Sequence, residues 1–240
     1  MLFRSLFGLL LATVIAIPLG VLAATRRDSW IDHVSRAITT AGVSLPVFFT
    51  GLLLIYIFYF KLGWASSPMG RLDPYATVPA PVTGFFLIDS LIAGDLELFA
   101  ACFKQLLLPA ITMAIFVMAP LARMTRAAML TALSSDYVRT ARALGLSRYT
   151  VVYRYALHNA LLPVVTTLGM VFSFMLGANV LVEKVFSWPG IGSYAIEALV
   201  ASDYAPVQGF VLTMAVLYVV LNLVIDVLYS VIDPRVGVAQ

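Results

Sequence analysis

Charged side chains are scarce in this sequence. They make up 11% of its 240 residues, whereas hydrophobic residues make up 62%. Soluble proteins carry about 25% charged and about 45–50% apolar residues. Most charged groups must stay in water and large apolar patches promote association, so too few polar groups are present to cover a soluble fold. The composition excludes an ordinary soluble protein and indicates a chain that lies in the lipid bilayer.

Cysteine, histidine and phosphate-binding signatures are equally sparse. The single cysteine, Cys102, excludes an internal disulfide and any CxxC motif. No Gly-Lys pair occurs, so the G-x-x-x-x-G-K-[ST] loop that cradles nucleotide phosphates is missing, and ATP would have to be handled by another polypeptide. His33 and His158 have no HExxH or cysteine companions. We therefore predict no catalytic residue, metal site or cofactor in this chain, and the absence of a basic tract predicts no nucleic-acid partner.

Long apolar stretches are abundant instead. About 20 such residues cross the ~30 Å hydrocarbon core of a bilayer as a helix. Stretches near this length lie at about 5–24, 37–60, 105–122, 159–182 and 207–231. They predict an all-α fold, a polytopic transmembrane helix bundle of about five spans that forms a single domain over residues 1–240. Alternatively, the first stretch is a cleavable signal peptide, which would leave four spans.

The charges between these stretches alternate along the chain. Segment 25–36 holds three arginines, and segment 123–158, which we call the basic loop, holds six. Segments 61–104 and 183–206 together hold four basic residues and seven acidic ones. Positive loops stay on the cytoplasmic side of a membrane. The two arginine-bearing segments and the C-terminus are therefore predicted to be cytoplasmic, in a multi-pass inner-membrane protein.

The basic loop has helix signals rather than the composition of a linker. Ser134 or Ser135 can cap the start of a helix, and Asp136 in its first turn complements the helix dipole. Gly145 is placed to end this helix after two or three turns. A second helix is predicted to begin at Ser147.

The predicted first helix has two different faces. Tyr137, Ala141 and Leu144 share one face, whereas Arg139 and Arg142 share another. Small residues between them would let another protein approach the backbone closely. The pattern fits a docking helix for a partner protein, and it fits equally an amphipathic helix that lies on anionic lipid. Spacing alone does not decide between these two interpretations.

The amino-acid sequence of the basic loop resembles that of a known family. DYVRTARALG at 136–145, followed by HNALLP at 158–163, is similar to the cytoplasmic signature loop of binding-protein-dependent ATP-binding cassette (ABC) importer permeases, in the dipeptide, oligopeptide and nickel version. DYAPVQG at 203–209 and NLVIDVLYSVIDPR at 222–235 favour the first, or B-type, permease of such importers. Further similar segments are IPLGVLAA at 17–24, SLPVFFTGLLL at 44–54, LGW at 62–64, ARMTRAAML at 122–130 and VFSWPGIG at 185–192.

This resemblance implies a type I permease fold with a cytoplasmic coupling helix that fits a groove on a separate ATPase. By matched position the docking residues would be Asp136, Tyr137, Arg139, Thr140, Ala141, Arg142, Ala143 and Gly145. It also implies three kinds of protein partner besides the lipid bilayer: ATPase subunits, a second similar permease and an extracytoplasmic solute-binding protein. The chain would form a pathway for peptides or a related small solute, with nickel as another cargo known in the family.

The sequence departs from the family pattern at three places. Arg139 stands where the wider importer superfamily often has an acidic residue, and His158 stands where that superfamily places a proline. Family members usually have another span and an outer segment before residues 5–24. The resemblance is therefore to a permease that lacks the N-terminal span, which leaves a nonfunctional truncated permease as one alternative.

Three polar residues are candidates for a gate or for a polar site inside the membrane. Glu183 precedes the WPGIG turn at 188–192, which is either a short re-entrant element near an outer gate or a simple anchor. Asn222 and Asp226 lie one turn apart in the last apolar stretch, and acids in such stretches are often functional. If Asp226 couples ion flow, the chain would be an ion-gradient-driven secondary transporter, which is the alternative function.

Overall fold

The computed structural model describes residues 2–72, 78 and 81–232. In this part of the chain every regular element is helical, which confirms the predicted all-α fold there. π-helical turns at Ile55–Lys61 directly follow one α-helix, and those at Thr150–Ala156 directly precede another. The α-helices are α1 (Leu2–Thr25), α2 (Trp30–Ser44), α3 (Val47–Leu54), α4 (Phe86–Ile92), α5 (Leu96–Leu133), α6 (Asp136–Ala143), α7 (Leu157–Val185), α8 (Ile191–Val200) and α9 (Tyr204–Ile232).

Four helical stretches of the described chain are long and apolar enough to cross a membrane. They are Phe3–Thr25, Leu96–Leu133, Thr150–Val185 and Tyr204–Ile225. A fifth crossing is present if α2 and the helix Val47–Lys61, which are bent at their junction, count as one broken span. The structure therefore agrees with a polytopic bundle of four or five spans.

The predicted stretch 37–60 is not one straight helix. α2 ends at Ser44 and α3 begins at Val47. Pro46 lies at the break with φ −58° and ψ 142°, an extended conformation. Proline has no backbone N–H to donate and disfavours helical geometry at the residue before it, here Leu45. The apolar run continues through the proline, so hydropathy alone predicted a single span where the backbone is broken.

α5 is longer than the stretch 105–122 predicted for it. It has 38 residues, which at 1.5 Å per residue extend about 57 Å. Arg123 and Arg126, both in the basic loop, belong to this helix. The chain leaves the helix only at Ser134 and Ser135, so the first part of the basic loop is a continuation of a candidate span.

The described residues group into two compact units, and the prediction of a single domain stays a prediction. In the first unit Leu72, Leu98 and Cys102 form a buried cluster. In the second unit a Cβ at Gly20 would lie 2.6 Å from the Cβ of Thr125, so α1 and α5 approach each other closely there. The first unit comprises Met1–Leu9, Leu45–Ala114 and Met175–Thr213, and the second comprises Leu10–Ser44, Ile115–Phe174 and Met214–Gln240.

α4 of the first unit is fastened by Asp89. The buried carboxylate accepts hydrogen bonds from the hydroxyl and the backbone N–H of Thr83, both at 2.7 Å, and from the N–H of Gly84 at 3.1 Å. These donors favour the charged carboxylate, and the Thr83 hydroxyl contributes most to holding the pKa of Asp89 below its usual value. Segment 61–104 thus contains an ordered turn followed by a short helix.

Candidate functional site: an exposed helix and two buried ion pairs

α6 begins and ends where the sequence predicts. Ser135 precedes it in an extended conformation, with φ −74° and ψ 156°. Gly145 follows it with φ +74°. The N–H of Gly145 donates to the carbonyl of Arg142 at 3.0 Å, and the N–H of Leu146 donates to the carbonyl of Ala141 at 3.3 Å. These two bonds form a Schellman motif, whose left-handed residue favours glycine.

The second helix of the basic loop also begins as predicted. Helical conformation resumes at Arg148. The Ser147 hydroxyl oxygen accepts a hydrogen bond from the N–H of Thr150 at 3.2 Å, which is N-cap geometry. A tight turn therefore joins α6 to the helix that leads into α7.

Most of the predicted docking residues lie on the exposed side of α6. These are Asp136, Tyr137, Arg139, Thr140, Arg142, Ala143 and Gly145. Ala141 is the exception: it is 3% exposed and faces inward with Val138, which is 0% exposed. Of the three residues whose spacing grouped them on one face, Tyr137, Ala141 and Leu144, only Ala141 is buried. Residues three apart on a helix share a face, and burial follows the Val138–Ala141 pair rather than Tyr137.

The two inward side chains anchor α6 to its unit. Val138 and Ala141 belong to a buried cluster with Met129 of α5 and with Val151 and Ala156 of the π-helical turns before α7. Both helices continue into candidate spans. A displacement of α6 would therefore be passed directly to the spans, because a packed core transmits strain rather than absorbing it.

The charges of α6 point outward. Asp136 and Arg139 approach to 3.4 Å, but their side chains are 94% and 80% exposed. An exposed pair of this kind contributes about 0–1 kcal/mol. The arginines of α6 are accordingly available for a partner rather than needed for the helix.

Asp32 forms a buried ion pair in the second unit that the sequence pattern did not predict. Its carboxylate is fully buried and accepts two hydrogen bonds from Arg126, at 2.7 Å and 2.6 Å. The backbone N–H of Asp28 donates a third at 3.1 Å. The pair joins α2 to α5. Its one signal in the sequence is an acid in the first turn of α2, within a segment that holds three arginines, and this signal does not identify the partner 94 residues away.

Glu183, one of the predicted gate residues, is a buried cap. Its side chain is 0% exposed and accepts hydrogen bonds from the N–H of Gly192 at 3.0 Å and of Ser193 at 3.1 Å. These N–H groups lie at the start of α8, where negative charge is stabilised by the helix dipole. A Cβ at Gly190 would overlap the Glu183 carboxylate. The glycines of the WPGIG turn therefore make room for the carboxylate to reach α8.

Arg4 completes this cluster in the first unit. Its guanidinium is 2% exposed, lies 3.5 Å from Glu183 and donates to the side-chain oxygen of Asn179. It also sits over the ring of Trp188, 5.3 Å from the ring centroid. An arginine in the first turn of an apolar helix was the one signal that it has a buried counterion.

The structure describes the side chain of Asn222 but not that of Asp226. The Asn222 amide donates to the carbonyl of Tyr218 at 3.0 Å, a bond within its own helix. Thr166 and Ser173 line a groove of about 400 Å³ together with Asn222 in the second unit. Asp226 lies outside the residues whose side chains the structure describes, so its proposed role stays a prediction.

Long apolar helices, with an exposed helix fastened by its buried face to two of them, define the class of an integral membrane protein. The family model for the "Binding-protein-dependent transport system inner membrane component" matches residues 16–238. The chain belongs to this family. It is a multi-pass inner-membrane permease subunit of an ATP-driven ABC importer, as its resemblance implied, and this membership displaces the ion-gradient alternative.

Individual relatives agree with this assignment. The chain is 45% identical to the probable D,D-dipeptide transport system permease protein DdpB of Escherichia coli K12, over 96% of this chain and 68% of that protein. It is 45% identical to the dipeptide transport system permease protein DppB of Haemophilus influenzae, over 98% and 68%. It is 35% identical to the glutathione transport system permease protein GsiC of Escherichia coli O1:K1, over 98% and 67%.

A solved structure shows the same fold. An inward-facing structure of the MetNI methionine ABC transporter superposes with a TM-score of 0.70, covering 97% of this chain and 92% of the other. The sequences are 15% identical, so this likeness concerns the fold alone. It confirms the type I permease fold.

Proposed function

We propose that this permease carries short peptides and that α6 is the surface through which a separate ATPase drives it. The observation that carries the second part is the division of α6 into an exposed charged side and a buried anchor. The first part is supported by the names of its relatives, which transport D,D-dipeptides, dipeptides and glutathione. Nickel, the other cargo considered from the sequence, has no counterpart among these names.

The proposed docking surface differs from the sequence prediction by the exchange of one residue for another. It keeps Asp136, Tyr137, Arg139, Thr140, Arg142, Ala143 and Gly145, which are exposed. It loses Ala141, and it gains Leu144, which is 75% exposed at the end of the helix. An exposed leucine between arginines and a tyrosine fits the composition of protein interfaces, where aromatic residues and arginine are enriched.

Transmission in this proposal runs through Val138 and Ala141. When two ATPase subunits close on ATP, α6 is displaced, and the buried cluster around Met129 and Val151 carries that displacement to α5 and α7. ATP hydrolysis takes place in the partner subunits. A second, similar permease supplies the other half of the pathway, and an extracytoplasmic binding protein delivers the cargo.

Reversing the charge of two docking residues tests this proposal. Arg139 and Arg142 are both exposed, so Arg139→Glu with Arg142→Glu is expected to leave folding nearly unchanged. Interface hot spots contribute about 2 kcal/mol or more, so ATPase binding is expected to fall at least about thirtyfold. The measurements are ATPase copurification with the tagged permease and ATP-dependent dipeptide uptake in proteoliposomes. Arg123→Glu, at an exposed arginine outside α6, is the matched control.

The same assay contains the contradicting outcomes. Unchanged copurification and uptake in the double variant would place the ATPase contact elsewhere. If nickel at low concentration abolished dipeptide uptake, and if that uptake did not saturate with dipeptide, the cargo would be reassigned to nickel.

Labelling tests the proposed cytoplasmic orientation. Cys102 is buried and is the single cysteine, so Cys102→Ser provides a background for one new cysteine, Thr140→Cys. A membrane-impermeant maleimide is expected to reach it in inverted vesicles and not in intact cells. Labelling in intact cells would place α6 on the outer side.

A further inference from the structure

A basic cleft of about 570 Å³ lies beside α6 in the second unit. Arg27, Arg142 and Arg148 line it, and no acidic residue occurs among its described lining residues. Arg27 approaches the neighbouring Asp28 to 3.2 Å, but both side chains are more than two-thirds exposed, so this pair holds the arginine only weakly. The remainder of its wall is mainly apolar and is formed by Ala24, Leu130, Leu133, Leu146, Val151 and Val152. The cleft therefore combines concentrated positive charge with an apolar wall, and this combination fits a ligand that has an anionic head and an apolar tail.

The helix ends around the cleft place it at the boundary of the membrane. α1 ends at Thr25 and α5 ends at Leu133, and both residues line the cleft. A third candidate span begins at Thr150, next to Val151 of the wall. α1 has 24 residues, which at 1.5 Å per residue extend about 36 Å and so match the ~30 Å of hydrocarbon more closely than the two longer helices. Its end at Thr25 therefore marks the level of the lipid head groups beside the cleft.

A smaller cleft of about 280 Å³ lies on the other side of Arg148. Arg26 adds a further positive charge there, and Tyr149 and Tyr153 line it with 73% and 48% of their surfaces exposed. Tyrosine is enriched at the level of lipid head groups. Arg148 lines both clefts and donates to the carbonyl of Thr25 at 3.3 Å, so its guanidinium is held between them.

We propose that these clefts bind one anionic phospholipid, with its phosphate between Arg27 and Arg148 and its acyl chains along the apolar walls. Arg142 of α6 completes the cationic rim of the larger cleft. A soluble acidic loop would satisfy the arginines but would leave the wall of leucine and valine uncovered, whereas a phospholipid satisfies both. The inference goes beyond the proposed function and does not depend on peptide cargo or on ATPase docking.

The test uses the permease in its assembled transporter, purified in detergent and then placed in nanodiscs. Phosphatidylglycerol and phosphatidylcholine are compared as added lipids, and bound lipid is counted by native mass spectrometry across a titration. We expect one tightly retained phosphatidylglycerol per permease. Since each arginine near a membrane surface contributes roughly 1 kcal/mol, Arg27→Gln with Arg148→Gln is expected to weaken retention about thirtyfold.

Two variants control for charge and for folding. Arg123→Gln with Arg154→Gln removes the same number of exposed arginines, neither of which lines a cleft or belongs to the docking surface, and is expected to retain the lipid. Arg27→Lys with Arg148→Lys keeps the positive charge and is expected to restore most of the retention, because lysine also binds phosphate.

Four results would overturn the proposal. The first two are equal retention in the Arg27→Gln with Arg148→Gln variant and equal retention of phosphatidylcholine. The third is displacement of the lipid by millimolar inorganic phosphate, which would indicate a site for free phosphate. The fourth is retention only after the ATPase subunits are removed, which would identify the cleft as part of a protein contact.

Discussion

α6 and α8 are short helices of 8 and 10 residues that are held to their units by opposite means. α6 is anchored by two small apolar side chains, and its end is closed by backbone hydrogen bonds around Gly145. α8 is anchored at its start by the buried carboxylate of Glu183, which in turn faces Arg4. One helix directs its charges outward, and the other depends on charges directed inward.

This difference predicts how each region tolerates substitution. Removing one partner of a buried ion pair leaves an uncompensated charge and is costly. Removing an exposed charge alters recognition and hardly alters stability. Stability defects are therefore expected around α8 and coupling defects around α6, and the following changes test that contrast from the largest effect to the smallest.

Glu183→Gln is expected to have the largest effect on stability. It leaves Arg4 charged and without its counterion in a buried site, which costs about 3–5 kcal/mol of the free energy of unfolding. Glu197→Gln is the matched control, because Glu197 pairs with Lys184 at 2.8 Å but is 69% exposed. Denaturant unfolding in detergent measures both. Equal losses in the two variants would contradict the contrast between the regions.

Ala141→Leu is expected to loosen α6. Extra methylenes in a packed core cost about 1–3 kcal/mol, and Ala141 is 3% exposed. Ala143→Leu places the same side chain on the exposed side of the same helix and should leave stability within about 0.5 kcal/mol. Hydrogen exchange of residues 136–146 distinguishes them. Faster exchange in the Ala143 variant than in the Ala141 variant would mean that the buried face of α6 is misassigned.

Gly145→Ala is expected to cost about 1–2 kcal/mol, through backbone strain alone. The residue has φ +74°, and a Cβ there would meet no described atom within 4 Å. Gly145→Asn should recover part of the loss, since asparagine adopts left-handed geometry more readily. Thermal unfolding and ATPase copurification are the readouts. An alanine variant as stable as the parent would argue against the Schellman motif as the end of α6.

Lowering the pH is expected to destabilise α4, and this is the smallest of the predicted effects. The hydrogen bond from the Thr83 hydroxyl lowers the folded-state pKa of Asp89. The stabilisation is therefore complete above the unfolded pKa, about 3.9, and is lost as the pH falls through the lower folded value. Hydrogen exchange of residues 83–92 between pH 6 and pH 3, corrected for intrinsic rates, is the measurement. Asp89→Asn should remove the pH dependence, and a dependence that persists would assign it to another group.

Local features of the chain were predictable and distant pairings were not. Their residue types alone located Ser135 and Gly145 at the two ends of α6. Gly145 ends the helix as predicted, whereas the Ser135 hydroxyl donates to the carbonyl of Ala132 and does not cap the helix. The partners of Arg4 and Asp32 lie 179 and 94 residues away, where no local pattern identifies them. Ala141 was assigned to the docking surface by its matched position in the family signature, whereas the choice of the buried face depends on what α5 and α7 present.

The contact between Arg4 and Trp188 gives the protein a built-in optical reporter. The chain has three tryptophans, and the other two, Trp30 and Trp64, are 74% and 75% exposed. Replacing those two by phenylalanine leaves a single indole beside the guanidinium. The emission of that indole then follows the electric field of the buried Arg4–Glu183 pair, so a rearrangement of this pair during turnover becomes visible as a shift of the emission wavelength without any attached dye.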